Sequence, residues 1–210
     1  MTASRIAVFA SGGGSNLEAL LQHLDAVGGA QVVLVLSNKP DAGAVAKAAR
    51  RGIATHVIAD PADGNAIVAV LDAADVGTIA LAGYLKMIPE AVTRRWRGRM
   101  LNVHPSLLPA FGGHGMYGRR VHEAVIAAKT STSGATVHFV DEVYDRGPIL
   151  AQASVPVRPD DTAVSLAERV LGVEHQLFPR AVHALATGVV ELGPDGRVHG
   201  VVPAVPSLSS

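Results

Sequence analysis

The sequence predicts a doubly wound α/β fold, a mostly parallel sheet with an antiparallel addition at its C-terminal end. Three observations carry that expectation. Short, nearly continuous apolar runs recur between segments of helical composition, as strands covered on both faces require. The first run passes directly into a glycine-rich turn and a leucine-striped helix. Hydrophobic residues make up 49% of the 210 and charged residues 17%, which supplies a core under both faces of a sheet.

Strands are expected at Ile6–Ala10, Val32–Leu36, Thr55–Ile58, Thr78–Ala82 and Met100–His104. Helices are expected at Ser15–Leu24, Ala42–Arg51, Asn65–Ala74 and Pro89–Arg97. Alternation of this kind implies right-handed crossovers and parallel pairing. In the first helix Leu17, Leu20, Leu21 and Leu24 follow the i, i+3, i+4, i+7 spacing of one buried face. Ser15 as N-cap with Glu18 three residues on reads as a capping box, and Pro89 suits a first helical turn. Past His104 the pattern changes. Pro105–Gly118 is too long and irregular for an ordinary connection, which marks it as functional or mobile. A helix at about Arg119–Lys129 leads to Ala135–Val140 and Ile149–Val155, read as antiparallel neighbours. Asp160–Ala186 reads as one long helix, with Pro179 as the point where a break would fall. Val189–Leu192 and Arg197–Val201, flanking Pro194-Asp195-Gly196, read as a hairpin. Residues 1–202 form one expected domain, and 203–210 a tail.

Eighteen Lys and Arg balance eighteen Asp and Glu, which argues against sequence-independent binding to nucleic acid or an anionic membrane. The chain contains no cysteine, so disulfides, thiolate zinc sites and thiol nucleophiles are excluded together. No apolar run reaches the ~18 residues of a membrane span, and the N-terminus shows no cleavable signal pattern; the expectation is a cytoplasmic protein.

Two constellations carry chemistry. Ser11-Gly12-Gly13-Gly14-Ser15-Asn16 joins the first strand to the first helix, and a glycine turn at a helix N-terminus is an anion site. A dinucleotide fingerprint would need glycine at Leu17, and Gly-Lys-Ser/Thr is absent, so a phosphate monoester fits best. Asn102 and His104, two apart on the fifth strand, share a face at its carboxyl end, where ligands bind in open α/β sheets. An amide donor beside an imidazole can stabilise a developing oxyanion and move a proton. Asp141, Glu142 and Asp145 are all candidates for the carboxylate that orients the imidazole. His104, His114 and His122 lack metal-ligand spacing, so no metal is expected. No G-x-S-x-G motif frames Ser11 or Ser106, which leaves direct transfer to a nucleophile carried by the substrate. His138 reads as a satisfied core histidine, Glu174-His175 as a solvated or locally paired helix face, and the arginines around Trp96 as a solvated helix end.

Ser11–Leu17, Ser37-Asn38-Lys39, Leu81–Leu85, Asn102-Val103-His104-Pro105-Ser106-Leu107-Leu108-Pro109, Gly113–Gly118, Gly134–Val140 with Asp145, and Glu174-His175 follow one collinear order. In these motifs the chain resembles the folate-dependent formyltransferase family, specifically those members that act on glycinamide ribonucleotide, over about residues 5–185. The resemblance implies a Rossmann-like fold and transfer of the formyl group of 10-formyltetrahydrofolate, a co-substrate, to the amine of N1-(5-phospho-D-ribosyl)glycinamide. It implies Asn102, His104 and Asp145 as the catalytic trio, with Asp145 favouring the charged imidazole. It implies Gly14, Ser15, Asn16, Gly83 and Glu174 as contacts for the ribonucleotide. Leu85, Lys86, Met87, Ile88, Asn102, Val140 and Asp141 are the implied folate contacts. Gly112–Gly118 matches a mobile loop, and Leu108–Pro109 a bond that is cis in the family. Small-molecule partners only, and a monomer or homodimer, are expected. Asp60–Asn65 lacks the basic residue many relatives direct at the folate glutamate, Lys86 stands where Arg is common, and Arg146 follows Asp145 where a small residue is usual. The alternatives are a formyltetrahydrofolate hydrolase, which needs an additional N-terminal regulatory domain, and a methionyl-tRNA formyltransferase, which needs a C-terminal oligonucleotide-binding domain and a basic surface. A non-catalytic folate or nucleotide binder would have no use for Asn102, His104 and Asp145 together.

Overall fold

A computed structural model describes residues 3–203. Seven strands form one sheet: β1 (Ser4–Phe9), β2 (Ala30–Ser37), β3 (Ala54–Val57), β4 (Thr78–Leu81), β5 (Met100–His104), β6 (Thr132–Phe139) and β7 (Ile149–Pro156). Their spatial order is β3-β2-β1-β4-β5-β6-β7. The first five pair in parallel, and β6 and β7 run antiparallel. The helices are α1 (Ser15–Val27), α2 (Gly43–Arg50), α3 (Gly64–Ala73), α4 (Glu90–Arg95), α5 (Arg119–Ala127) and α6 (Ala163–Ala186). A separate two-stranded sheet joins β8 (Glu191–Leu192) to β9 (Val198–His199), much shorter than the expected hairpin.

Side chains alternate faces along a strand, so a continuously apolar strand feeds two cores. In β1, Ile6 and Val8 pack with Leu17, Leu20 and Leu24 of α1 and with Val170, Leu177 and Phe178 of α6. Ala7 and Phe9 pack on the opposite face with Ile67 and Leu71 of α3 and Val92 and Trp96 at α4. Each fully buried Leu, Ile or Phe contributes about 1.5–3 kcal/mol of transfer free energy. Trp96 is sealed in the second core with its indole N–H donated to the Val76 carbonyl at 2.9 Å.

Two local expectations are corrected, and a third point is decided. Ser15 is the first helical residue of α1 rather than its cap. Gly14 stands at the N-cap in the left-handed conformation (φ 74°) and offers no side chain to the helix N–H groups. Glu18 turns away to Arg51, at 2.8 Å, so no capping box forms. The expected long helix forms and runs unbroken through Pro179, from a Thr162/Ser165 capping box to Ala186. Phe178, Ala181 and Val182, wholly buried around the proline, supply the packing that offsets its missing hydrogen bond. β3 is an edge strand with mostly exposed side chains, so coverage of both faces stops at β2. Of the expected tail, residues 204–210 lie outside the described residues.

The sheet reverses its winding between β1 and β4, and there the chain leaves a crevice at the carboxyl ends of the strands. The Ser11 N–H donates to the Gly83 carbonyl (3.1 Å) and the Leu85 N–H to Ser11 Oγ (2.9 Å), which ties the turns after β1 and β4 together at its floor.

Candidate active site

A cleft of ≈ 870 Å³ opens at this edge. It brings together twelve residues expected at the site: Asn16, Gly83, Leu85, Lys86, Met87, Ile88, Asn102, His104, Val140, Asp141, Asp145 and Glu174. Gly14 and Ser15 are not on its walls; they form the turn that leads to Asn16. Among the described residues no group of three or more His, Asp or Glu side chains is placed to hold a metal ion.

The polar centre is built on β5. His104 is 4% exposed. Its Nδ1 faces Asp145 Oδ2 at 3.5 Å, which settles the choice among Asp141, Glu142 and Asp145 on geometry. Its Nε2 lies 2.9 Å from the Phe111 carbonyl, which can only accept, so the ring donates there. Burial pushes the imidazole below its ordinary pKa, and this outweighs the upward pull of Asp145 and the Phe111 carbonyl. Asp145 does favour the charged ring, as expected, but desolvation is the larger effect and holds the imidazole below its ordinary pKa.

Asp145 sits at φ 55°, a left-handed turn position that swings its carboxylate back over β5. Burial pushes this carboxyl up. The neighbouring His138 and His104 rings and the Gly113 N–H (2.9 Å) together outweigh burial and hold it below the ordinary carboxylate range.

His138 is buried with both ring nitrogens partnered, as expected of a satisfied core histidine, but it also lines the cleft. β5 and β6 pair with Asn102 directly opposite His138. The His138 Nδ1–H donates to the Phe139 carbonyl (2.8 Å), which leaves Nε2 to accept from Asn102 Nδ2 (3.1 Å). The same Nε2 lies 3.6 Å from Asp145 Oδ1. One amide hydrogen of Asn102 is thus fixed on His138 and the other is left for the cleft. The signal was available only through the cross-strand register: an antiparallel β6 puts His138 on the face shared by Asn102 and His104.

The rigid exit from β5 has a similar basis. Thr136, opposite His104, donates to the Ser106 carbonyl (2.6 Å) and accepts from the Leu108 N–H (3.0 Å) and Gln152 Nε2 (2.9 Å). The Leu108–Pro109 bond is cis.

At the other end of the cleft Asn16 Nδ2 donates to Glu174 Oε2 at 2.7 Å. Burial pushes the Glu174 carboxyl up to about 7, although the hydrogen bond from Asn16 opposes this. The reading of Glu174 as a solvated face is thus overturned: it is 8% exposed and faces the cleft. Leu85, Met87, Val143 and Tyr144, all exposed large hydrophobic side chains, line the same cleft, and His114 meets Tyr144 edge-on at 5.6 Å. Apolar lips of this kind suit a flat, amphipathic ring system.

Residues 4–182 match the Formyl transferase family. The chain belongs to that family. It is 42% identical over 200 residues to a chloroplastic phosphoribosylglycinamide formyltransferase of Arabidopsis thaliana, covering 91% of this chain and 68% of the relative. It is 41% identical over 202 residues to the trifunctional purine biosynthetic protein adenosine-3 of Bos taurus, covering 93% of this chain but only 20% of that much longer protein. Among solved structures, phosphoribosylglycinamide formyltransferase from Anaplasma phagocytophilum superposes with a TM-score of 0.86 at 37% identity, over 95% of each chain. The corresponding enzyme from Brucella melitensis gives 0.80 at 44% identity, over 89% of this chain and 97% of that one. Family membership brings a folate-derived formyl donor and small-molecule chemistry. No helix among the described residues is long and apolar enough to cross a membrane.

Proposed function

We propose that this protein transfers the formyl group of 10-formyltetrahydrofolate to the amine of N1-(5-phospho-D-ribosyl)glycinamide, a step of purine biosynthesis. The observation that carries this reading is one cleft holding the Asn102–His104–His138–Asp145 cluster at its centre, the Asn16–Glu174 pair at one end and the Leu85–Tyr144 lips at the other.

The chemistry assigned to each part follows from its atoms. The ribonucleotide enters by the glycine turn, its ribose hydroxyls on Glu174, and its amine reaches the centre of the cleft. The pterin lies between Leu85–Ile88 and Val140–Asp145. The amine nitrogen attacks the formyl carbon, and the carbonyl electron pair moves onto oxygen. The free amide hydrogen of Asn102 and the Nε2–H of His104 stabilise that oxyanion. The nitrogen sheds its proton to the cluster, where Nδ1 of His104 is the open acceptor facing Asp145. Collapse of the tetrahedral species breaks the bond to folate N10, which takes up a proton. Holding both substrates in one crevice supplies much of the rate.

The purified protein is to be incubated with both substrates while folate deformylation and formylated ribonucleotide are followed together. Equal amounts of the two products, formed only when both substrates are present, support transfer. Folate deformylation without ribonucleotide would instead assign a hydrolase.

A further inference from the structure

The His104 ring lies between two residues in the left-handed conformation. Among the described residues four non-glycine residues take a positive φ: Asp75, Phe111, Lys129 and Asp145. Asp75 and Lys129 directly follow the caps of α3 and α5, where such a turn is ordinary. Asp145 (φ 55°) faces Nδ1 of His104, and the carbonyl of Phe111 (φ 56°) accepts from Nε2. A bulky aromatic residue is an outlier there, at a cost of about 1–3 kcal/mol, and it persists only where its surroundings over-determine it.

Those surroundings begin at Ser106, which is wholly buried. Its hydroxyl donates to the Ala110 carbonyl at 2.6 Å. That carbonyl belongs to the planar peptide that enters Phe111, so the hydrogen bond fixes the plane from which φ of Phe111 is measured. Ser106 is itself anchored, because its carbonyl accepts from Thr136, the cross-strand neighbour of His104. Gln152, opposite Thr136 on β7, donates to the Leu108 carbonyl at 2.9 Å, and the Ala110 N–H closes the turn onto the Leu107 carbonyl at 3.2 Å. The consequence for His104 is a choice of tautomer. A neutral imidazole carries one N–H. Left free, it would direct that hydrogen from Nδ1 to the Asp145 carboxylate, since a charged acceptor is stronger than a carbonyl. Nε2 would then be bare and useless to an oxyanion. The Phe111 carbonyl, at 2.9 Å against 3.5 Å for the carboxylate, opposes that choice.

We propose that Ser106 is a positioning residue: its hydroxyl locks Phe111 in the left-handed conformation, so that the Phe111 carbonyl selects the Nε2–H tautomer of His104. This deepens the function proposed above and rests on it for the use of that N–H toward the oxyanion. Neither Ser106 nor Phe111 lies on the cleft wall, so the device acts on His104 and leaves substrate binding alone.

The test introduces Ser106→Ala into the full chain with Phe111 intact, with Phe111→Ala and with Phe111→Gly. The His104 tautomer is read by nitrogen NMR of histidine-labelled protein, its signal assigned by loss in His104→Gln, and kcat and both KM values are measured. Ser106→Ala alone is expected to move the ring toward Nδ1–H and lower kcat by about 2- to 12-fold, with both KM values within about twofold. Phe111→Ala and Phe111→Gly lose the same packing, but only glycine takes a positive φ without penalty. Adding Ser106→Ala should therefore cost the full factor on Phe111→Ala and less than about twofold on Phe111→Gly. An unchanged tautomer in Ser106→Ala overturns the proposal, as does an equal cost in both backgrounds or a loss confined to KM. Should Ser106→Ala fail to fold, Phe111→Pro carries the test, because its ring forbids a positive φ; an Nε2–H tautomer retained there overturns the proposal equally. If Ser106→Ala moves the tautomer but wild type formylates nothing, the function falls and the positioning stands. If formylation proceeds with tautomer and kcat indifferent to Ser106, the reverse holds.

Discussion

His104 spends its only N–H on the Phe111 carbonyl, 2.9 Å from Nε2, while its bare Nδ1 faces Asp145 Oδ2 at 3.5 Å. A proton gained by the ring goes to the Asp145 side. The Nε2–H can serve an oxyanion only when the backbone at Phe111 gives it up. Gly113, two residues on, is tied to the same carboxylate. The loop that leaves β5 is thus coupled to the reacting groups by two hydrogen bonds.

Asp145→Asn removes the charge that receives the protonated ring, and His104→Ala removes the ring. Each is expected to lower kcat/KM by about 10²–10⁴-fold. Thermal unfolding midpoints should stay close to wild type, because the large hydrophobic cores are untouched. Turnover near wild type in either variant would remove that residue from the proposed chemistry.

His138→Phe keeps the ring volume and removes the acceptor that fixes Asn102. The loss of one neutral hydrogen bond of about 0.5–1.5 kcal/mol corresponds to roughly a 2- to 12-fold fall in kcat. With Asn102→Ala it should be non-additive, since both act through the same amide. Additive losses in the double variant would show that the cross-strand pair does not work as a unit.

Glu174 gives a pH dependence with a definite sign. Its folded pKa, about 7, lies above the ordinary 4.5, so the folded chain binds more protons than the unfolded one between those values. Its contribution to stability therefore declines as pH rises from 4.5 to 7 and stays low above that. The decline is of order 3 kcal/mol at about 1.4 kcal/mol per unit. Glu174→Gln should flatten denaturant-derived stability across that window. The ribonucleotide KM of wild type should improve as pH rises through about 7, when the carboxylate able to accept from ribose hydroxyls forms. A stability profile unchanged by Glu174→Gln would place the titrating group elsewhere.

Gly14→Ala forces a Cβ into the left-handed region and against the backbone of α2. A loss of about 1–3 kcal/mol of stability is expected. Ribonucleotide binding should weaken more than folate binding, because the displaced turn is the one that leads to Asn16. Equal weakening of both would argue against the glycine turn as the ribonucleotide's end of the cleft.

Much of the fold was legible locally. The leucine stripe of α1 and the unbroken apolar runs of β1, β2 and β4 prescribe a covered sheet, because a period of 3.6 or 2 decides which atoms leave water. Asn102 and His104 were legible as a pair because two residues on one strand share a face. What the linear chain withheld depends on partners far along it. His138 looks like core until β6 is laid against β5. Ser15 and Glu18 look like a capping box until Arg51 competes for the carboxylate. Pro179 looks like a break until its neighbours are buried. The protonation of His104 was decided by tertiary structure alone, since desolvation is set by everything that surrounds a group and only the folded chain says what that is. The sequence by itself determined the elements, their order and the chemical groups on offer. The tertiary structure decided which of those groups meet and in what state of charge.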